Sequence, residues 1–131
     1  MEILLISKHT SQNEMELIER ILAEKKLGIR LADSYKRGLE DLARFKTPIV
    51  FLYCFDGGDD LTPAEAVRIM KEMAPNLLIV AISEETPLET ERELRKSGLY
   101  FHLSSPFSEE ELKDVLASVI KKETMGRKTR P

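Results

Sequence analysis

Residues 48–55 read Pro48-Ile49-Val50-Phe51-Leu52-Tyr53-Cys54-Phe55, and residues 77–82 read Leu77-Leu78-Ile79-Val80-Ala81-Ile82. Both runs are apolar throughout instead of alternating with polar residues. A strand with no polar alternation has to be covered on both faces, as in the middle of a parallel sheet flanked by helices. Shorter or weaker apolar runs lie on either side, at residues 3–6, 29–32 and 99–103. Between the runs the apolar residues change to helical spacing. Met15, Ile18, Ile21 and Leu22 make one stripe and Ala66, Val67, Met70 and Met73 another. Leu112, Val115, Leu116, Val119 and Ile120 make the clearest, at i, i+3, i+4, i+7 and i+8.

The helix starts are marked by capping residues. Ser11 with Glu14, Thr62 with Glu65, Thr86 with Glu89 and Ser108 with Glu111 all fit a capping box. In this motif a hydroxyl accepts from an orphan backbone N–H while the glutamate reaches back. Pro63 and Pro87 take the first helical position, where no N–H is needed. Gly28 and Gly98 follow lysine-rich segments, as C-terminal caps do. Five strand–helix units with right-handed crossovers give a three-layer α/β sandwich. Residues 1–122 form the domain, and residues 123–131, basic and without apolar periodicity, read as a flexible tail.

Composition narrows the function classes. The 131 residues suffice for one domain with a full core. A net charge of −3 leaves no general nucleic-acid footprint, and Arg127, Lys128 and Arg130 are too few to supply one. Cys54 is the single cysteine, so no internal disulfide forms and a reducing cytoplasm is expected. The first apolar run is too short for a signal peptide or a membrane span.

Several segments in this order resemble the response-regulator receiver domain. Gly38-Leu39-Glu40-Asp41-Leu42 followed by Pro48-Ile49-Val50-Phe51-Leu52 is similar to its second helix and third strand. Ser83 and Gly98 keep the family's spacing between its phosphate-sensing hydroxyl and its glycine. Leu103-Ser104-Ser105-Pro106-Phe107 resembles the end of its fifth strand. The resemblance spans residues 1–122. It implies a flavodoxin-like sandwich, a five-stranded parallel sheet of order 2-1-3-4-5 with five helices. It also implies a phosphorylation pocket: two acids after the first strand for Mg²⁺, an Asp phosphoacceptor ending the third, a Thr or Ser ending the fourth, and a Lys before the proline of the fifth.

This chain departs from that set at most positions. Ser7 and Lys8 stand for the acid pair. Tyr53 stands for the phosphoacceptor, or Cys54 if the register slips by one, and Ser105 replaces the Lys. Ser83 alone matches. Mg²⁺ needs hard oxygen ligands, usually carboxylates, and a phenol is a poor nucleophile near neutral pH. The pocket therefore reads as degenerate, with no metal and no cofactor.

Individual residues carry two readings each. Lys8 either neutralises the acidic loop Asp56, Asp59 and Asp60 in place of a metal, or is a solvated lysine at a strand end. That loop is either a relocated metal and phosphoryl site or a polar turn before the Thr62 cap. Tyr53 and Cys54 are expected in or at the edge of the core. His102 falls where receivers carry a Tyr or Phe that swings between rotamers; it is either a pH reporter or a half-exposed strand residue. His9 lacks a partner at metal spacing. The helix after residue 87 has only Leu88 and Leu94 as apolar anchors and should be loosely held.

The function these readings favour is a non-catalytic pseudo-receiver, a signalling module that works by protein contact without aspartyl phosphorylation. Its interaction face is assigned to Arg92, Arg95, Tyr100, His102 and Lys113. A protein partner is expected, with homodimerisation through helix 4, strand 5 and helix 5 as a further option; neither nucleic acid nor membrane is. The alternatives are a Mg²⁺-dependent phosphoacceptor in the loop at residues 56–60 and a small-molecule site at the C-terminal sheet edge, over Ser7, Ser83 and Ser104-Ser105.

Overall fold

The computed structural model describes residues 1–8, 10–55, 61–84 and 88–129, with side chains described up to residue 125. Strands and helices alternate: β1 (Glu2–Ile6), α1 (Gln12–Glu24), β2 (Gly28–Ala32), α2 (Tyr35–Arg44) and β3 (Ile49–Tyr53). They continue with α3 (Pro63–Met73), β4 (Leu78–Ser83), α4 (Leu88–Lys96), β5 (Phe101–Ser104) and α5 (Glu109–Thr129). The strands form one parallel sheet in the order β2-β1-β3-β4-β5, as expected.

The continuous apolar runs take the central places. All five residues of β3 are buried, and Ile3, Leu4, Leu5 and Ile6 of β1 are at most 1% exposed. Side chains alternate across a strand, so each run feeds two cores. Ile3, Leu5, Ile49, Phe51, Tyr53, Val80, Ile82 and Leu103 pack with the stripes of α1 and α5. Leu4, Ile6, Val50, Leu52 and Ile79 pack with α3 and with Leu94 of α4 on the other face. This parity decides the site, because it sends the Tyr53 ring toward α1.

Three capping residues act as the sequence indicates. The Ser11, Thr62 and Ser108 hydroxyls accept from the backbone N–H of Glu14, Glu65 and Glu111. At Ser108 the box is reciprocal, since its own N–H donates to Glu111 Oε1. Ser34 caps α2 by accepting from Arg37 N–H, without the acidic partner that makes a box visible in sequence. The Thr86 cap lies outside the described residues.

Some expectations need correction. Gly28 opens β2 and does not cap α1; Lys26 takes the left-handed position, with φ 59°. There Lys26 N–H donates to Ala23 O at 3.0 Å and Leu27 N–H to Leu22 O at 2.9 Å, a Schellman closure. A lysine held at positive φ is strained, so Lys26→Gly should raise stability by about 0.5–1 kcal/mol in urea unfolding. A loss instead would show that unfolded-chain entropy outweighs the strain. Met73, read as part of the α3 stripe, and Leu88, read as an anchor of α4, are 43% and 62% exposed. Beyond residue 122, α5 continues as a helix to Thr129. Lys121, Lys122, Glu123 and Met125 are good helix formers, and a helix already anchored in the core propagates through them without apolar periodicity.

Candidate functional site

The ladder extends one residue past three strands, lining up the tips. Ser7 N–H donates to Ala32 O at 2.9 Å, Cys54 N–H to Ile82 O at 2.8 Å, and Ser105 N–H to Ser83 O at 2.7 Å. Ser7, Tyr53, Ser83 and Ser105 therefore share the C-terminal edge of the sheet, where parallel α/β folds place their sites. Lys8 is exposed beyond β1, and the Ser7 hydroxyl is hydrogen-bonded to that of Thr10. The Ser105–Pro106 peptide bond is cis.

Two of these tips are joined by a residue read in sequence only as part of a cap. Instead of returning to Ser11, the Glu14 carboxylate points across the edge of the sheet. Tyr53 Oη donates to its Oε1 at 2.9 Å, and Ser105 Oγ donates to its Oε2 at 2.7 Å. One carboxylate thus ties α1, the tip of β3 and the loop after β5. The Tyr53 side chain reaches it because β3 alternation aims residue 53 at the α1 face. The contacts are 39 and 91 residues apart in sequence, so no local pattern announces them.

Tyr53 is 8% exposed, and its phenol is held far above the ordinary value near 10. Burial is the main cause, followed by the hydrogen bond to Glu14 and then that residue's negative charge. An acid whose folded pKa is raised contributes stability that is complete below its unfolded pKa and is lost as pH rises above it. The stability gap between wild type and Tyr53→Phe should accordingly shrink as pH climbs past about 10. A gap independent of pH up to the onset of alkaline unfolding would contradict the assignment.

A second tyrosine, absent from the sequence reading, fixes the backbone beneath. Tyr35, at the start of α2, is fully buried; its Oη donates to Tyr53 O at 3.0 Å and accepts from Phe55 N–H at 3.1 Å. Its ring stacks on Phe55 with centroids 4.4 Å apart. Cys54 between them is half-buried.

The remaining tip faces α4. Ser83 Oγ and His102 Nε2 are 2.5 Å apart, and the His102 side chain is 12% exposed. Burial lowers the His102 pKa from its ordinary value; Glu91 pushes it back up and Arg95 lowers it further. His102 is thus more enclosed than a half-exposed strand residue. Around it, Arg95 pairs with Glu91 at 2.8 Å, and Arg92 is exposed. Toward α5, Tyr100 Oη lies 2.6 Å from Ser118 Oγ, and Lys113 stands 3.8 Å from Glu109. His102 lies within β5 and the other four residues stand around it, and Phe101 beside His102 is 46% exposed.

Tested against a magnesium–phosphoryl machine, the tips do not fit. They offer hydroxyls, an exposed ammonium and a protonated phenol, while Glu14 is already engaged by two donors. Among the described residues, no group of three or more His, Cys, Asp or Glu is placed to hold a metal. Asp56, Asp59, Asp60 and His9 lie outside the described residues. A cleft of about 720 Å³ opens beside Ser7 between α1 and β2, bordered by Thr10, Leu31 and Arg37; Ser83 and Ser105 are not part of its described lining. No described helix is long and apolar enough to cross a membrane.

A doubly wound parallel sandwich of order 2-1-3-4-5, with its polar side chains gathered at the strand tips, defines the class. Comparison with solved structures then specifies it: the chain has the fold of response-regulator receiver domains. The signal receiver domain of a putative LuxO repressor protein from Vibrio parahaemolyticus superposes with a TM-score of 0.83 at 13% identity, over 99% of this chain and 97% of that one. A CheY-like receiver domain protein from Methanospirillum hungatei gives 0.79 at 13% identity, over 95% and 97%. NtrX from Brucella abortus gives 0.82 at 22% identity; the match covers 97% of this chain but 28% of that one. No protein-family model and no curated protein matches the sequence.

Proposed function

We propose that this chain is a non-catalytic signalling module, a pseudo-receiver that acts through protein contact and takes no aspartyl phosphate. One observation carries this reading. Where a receiver would hold a metal and a phosphoryl group, Glu14 accepts hydrogen bonds from both Tyr53 and Ser105. Hydrogen bonds to a charged acceptor are worth roughly twice neutral ones, so the arrangement persists without a ligand. The pocket is closed by the chain's own carboxylate. Output then falls to the surface around β5, through Arg92, Arg95, Tyr100, His102 and Lys113, with a protein or a second copy of this chain as partner. Its mixed charge and the exposed Phe101 suit a polar, transient interface.

The test is incubation with acetyl phosphate and Mg²⁺, read by intact-mass spectrometry. An unchanged mass is expected. Addition of one phosphoryl group, lost in Asp56→Ala, would overturn the reading in favour of a relocated acceptor in the loop at residues 56–60. The cleft beside Ser7 favours a second reading, a small-molecule site at the C-terminal sheet edge. A ligand retained in native mass spectra of freshly purified protein, and lost in Ser7→Ala or Arg37→Ala, would support it.

A further inference from the structure

The ring of His102 links the tip of β4 to the outer surface of α4, and a single oxygen decides how. Its Nε2 holds the Ser83 hydroxyl at 2.5 Å, while its Nδ1 lies 3.9 Å from Glu91 Oε1. That same Oε1 is the atom that pairs with Arg95 at 2.8 Å. Neutral imidazole therefore leaves the carboxylate to the guanidinium, and a protonated ring competes for it at close range. The exposures favour the exchange: the His102 side chain is 12% exposed, Glu91 30% and Arg95 69%. A charge created on the covered ring cannot turn to water as readily as the Arg95 guanidinium can.

We propose that protonation of His102 draws Glu91 away from Arg95, so that acidification releases a cation on the exposed face of α4. Among the described residues, the charged groups that act on the ring are Glu91 and Arg95 from α4, and β4 presents the uncharged Ser83 hydroxyl. Ser83 stays bonded in both states, because imidazolium Nε2–H donates to the hydroxyl. The exchange follows the uptake of a proton by the ring as the pH falls. Only the assignment of α4 to the interaction face rests on the function proposed above; the proton-driven exchange does not.

The experiment is a pH titration of the intact, isotope-labelled chain by NMR, following the His102 ring carbon signals and the Arg95 Nε–H signal together. In wild type the two should move with one midpoint. In Glu91→Gln the His102 midpoint should fall, since the residue that raises it is gone, and the Arg95 signal should no longer follow. His102→Gln, which keeps a hydrogen-bonding group for Ser83, should leave Arg95 unresponsive over the same range. An Arg95 signal that is flat through the His102 titration, or that moves equally in His102→Gln, would overturn the proposal. The readout needs neither partner nor phosphate, so failure of the pseudo-receiver reading would show separately, in the mass measurement.

Discussion

Glu14→Ala should lower the stability of the domain by about 2–3 kcal/mol, a fall in Tm on the order of 10 °C. The loss exceeds that of an ordinary surface glutamate because two hydroxyls, Tyr53 Oη and Ser105 Oγ, lose their acceptor together. The phenol is nearly buried and cannot recover its bond from bulk water without moving. Glu14→Gln keeps one acceptor oxygen but sets an NH₂ against the other donor, so about half the loss should remain. The sharper check is a double-mutant cycle with Tyr53→Phe. Removing both partners should cost at least ~1 kcal/mol less than the sum of the single variants, since a pair that interacts directly cannot be lost twice. Additive losses in urea unfolding would mean that the carboxylate and the phenol act independently.

Tyr35→Ala should be costlier still, about 3–5 kcal/mol, for it empties a fully buried aromatic site against Phe55 and removes the clamp on the tip of β3. Tyr35→Phe separates the two contributions. It keeps the ring and the stacking but leaves the Tyr53 carbonyl and the Phe55 N–H without their buried partner, for about 1–3 kcal/mol. Hydrogen exchange gives a local reading, as the Phe55 amide should lose protection in Tyr35→Phe ahead of the core of β3. If Tyr35→Phe unfolds within about 0.5 kcal/mol of wild type, the hydroxyl does not organise the strand tip.

What the sequence disclosed and what it concealed follow from the range of the interactions involved. The unbroken apolar runs at β3 and β4 and the helical stripes on α1 and α5 are local patterns, so the alternation of strands and helices and the layers are legible in the sequence, whereas the sheet order is implied only by the resemblance to receiver domains. Ser11, Thr62 and Ser108 act within one helical turn and were equally visible. The tip residues Ser7, Tyr53, Ser83 and Ser105 were found by position alone, because strand ends are local as well. Their connections were not. Glu14 satisfies the capping pattern, yet its side chain is spent on partners from β3 and from the loop after β5. Tyr35 sits in a short, strongly polar helix whose sequence gives no sign that its hydroxyl serves another strand. Glycine is the usual left-handed residue, so the sequence points to Gly28 for the turn after α1, and instead Lys26 bears the strain.

The most direct measurement is an amide-shift titration of the intact chain with Mg²⁺ and beryllofluoride, a phosphoryl mimic that seats only on a working acceptor and metal site. With Tyr53 and Ser105 already bonded to Glu14, Ser7 to Thr10 and Ser83 to His102, the amides of Ser7, Tyr53, Ser83 and Ser105 should keep their positions at every concentration. A saturable, Mg²⁺-dependent movement of those four signals would contradict a pocket held by the chain's own carboxylate.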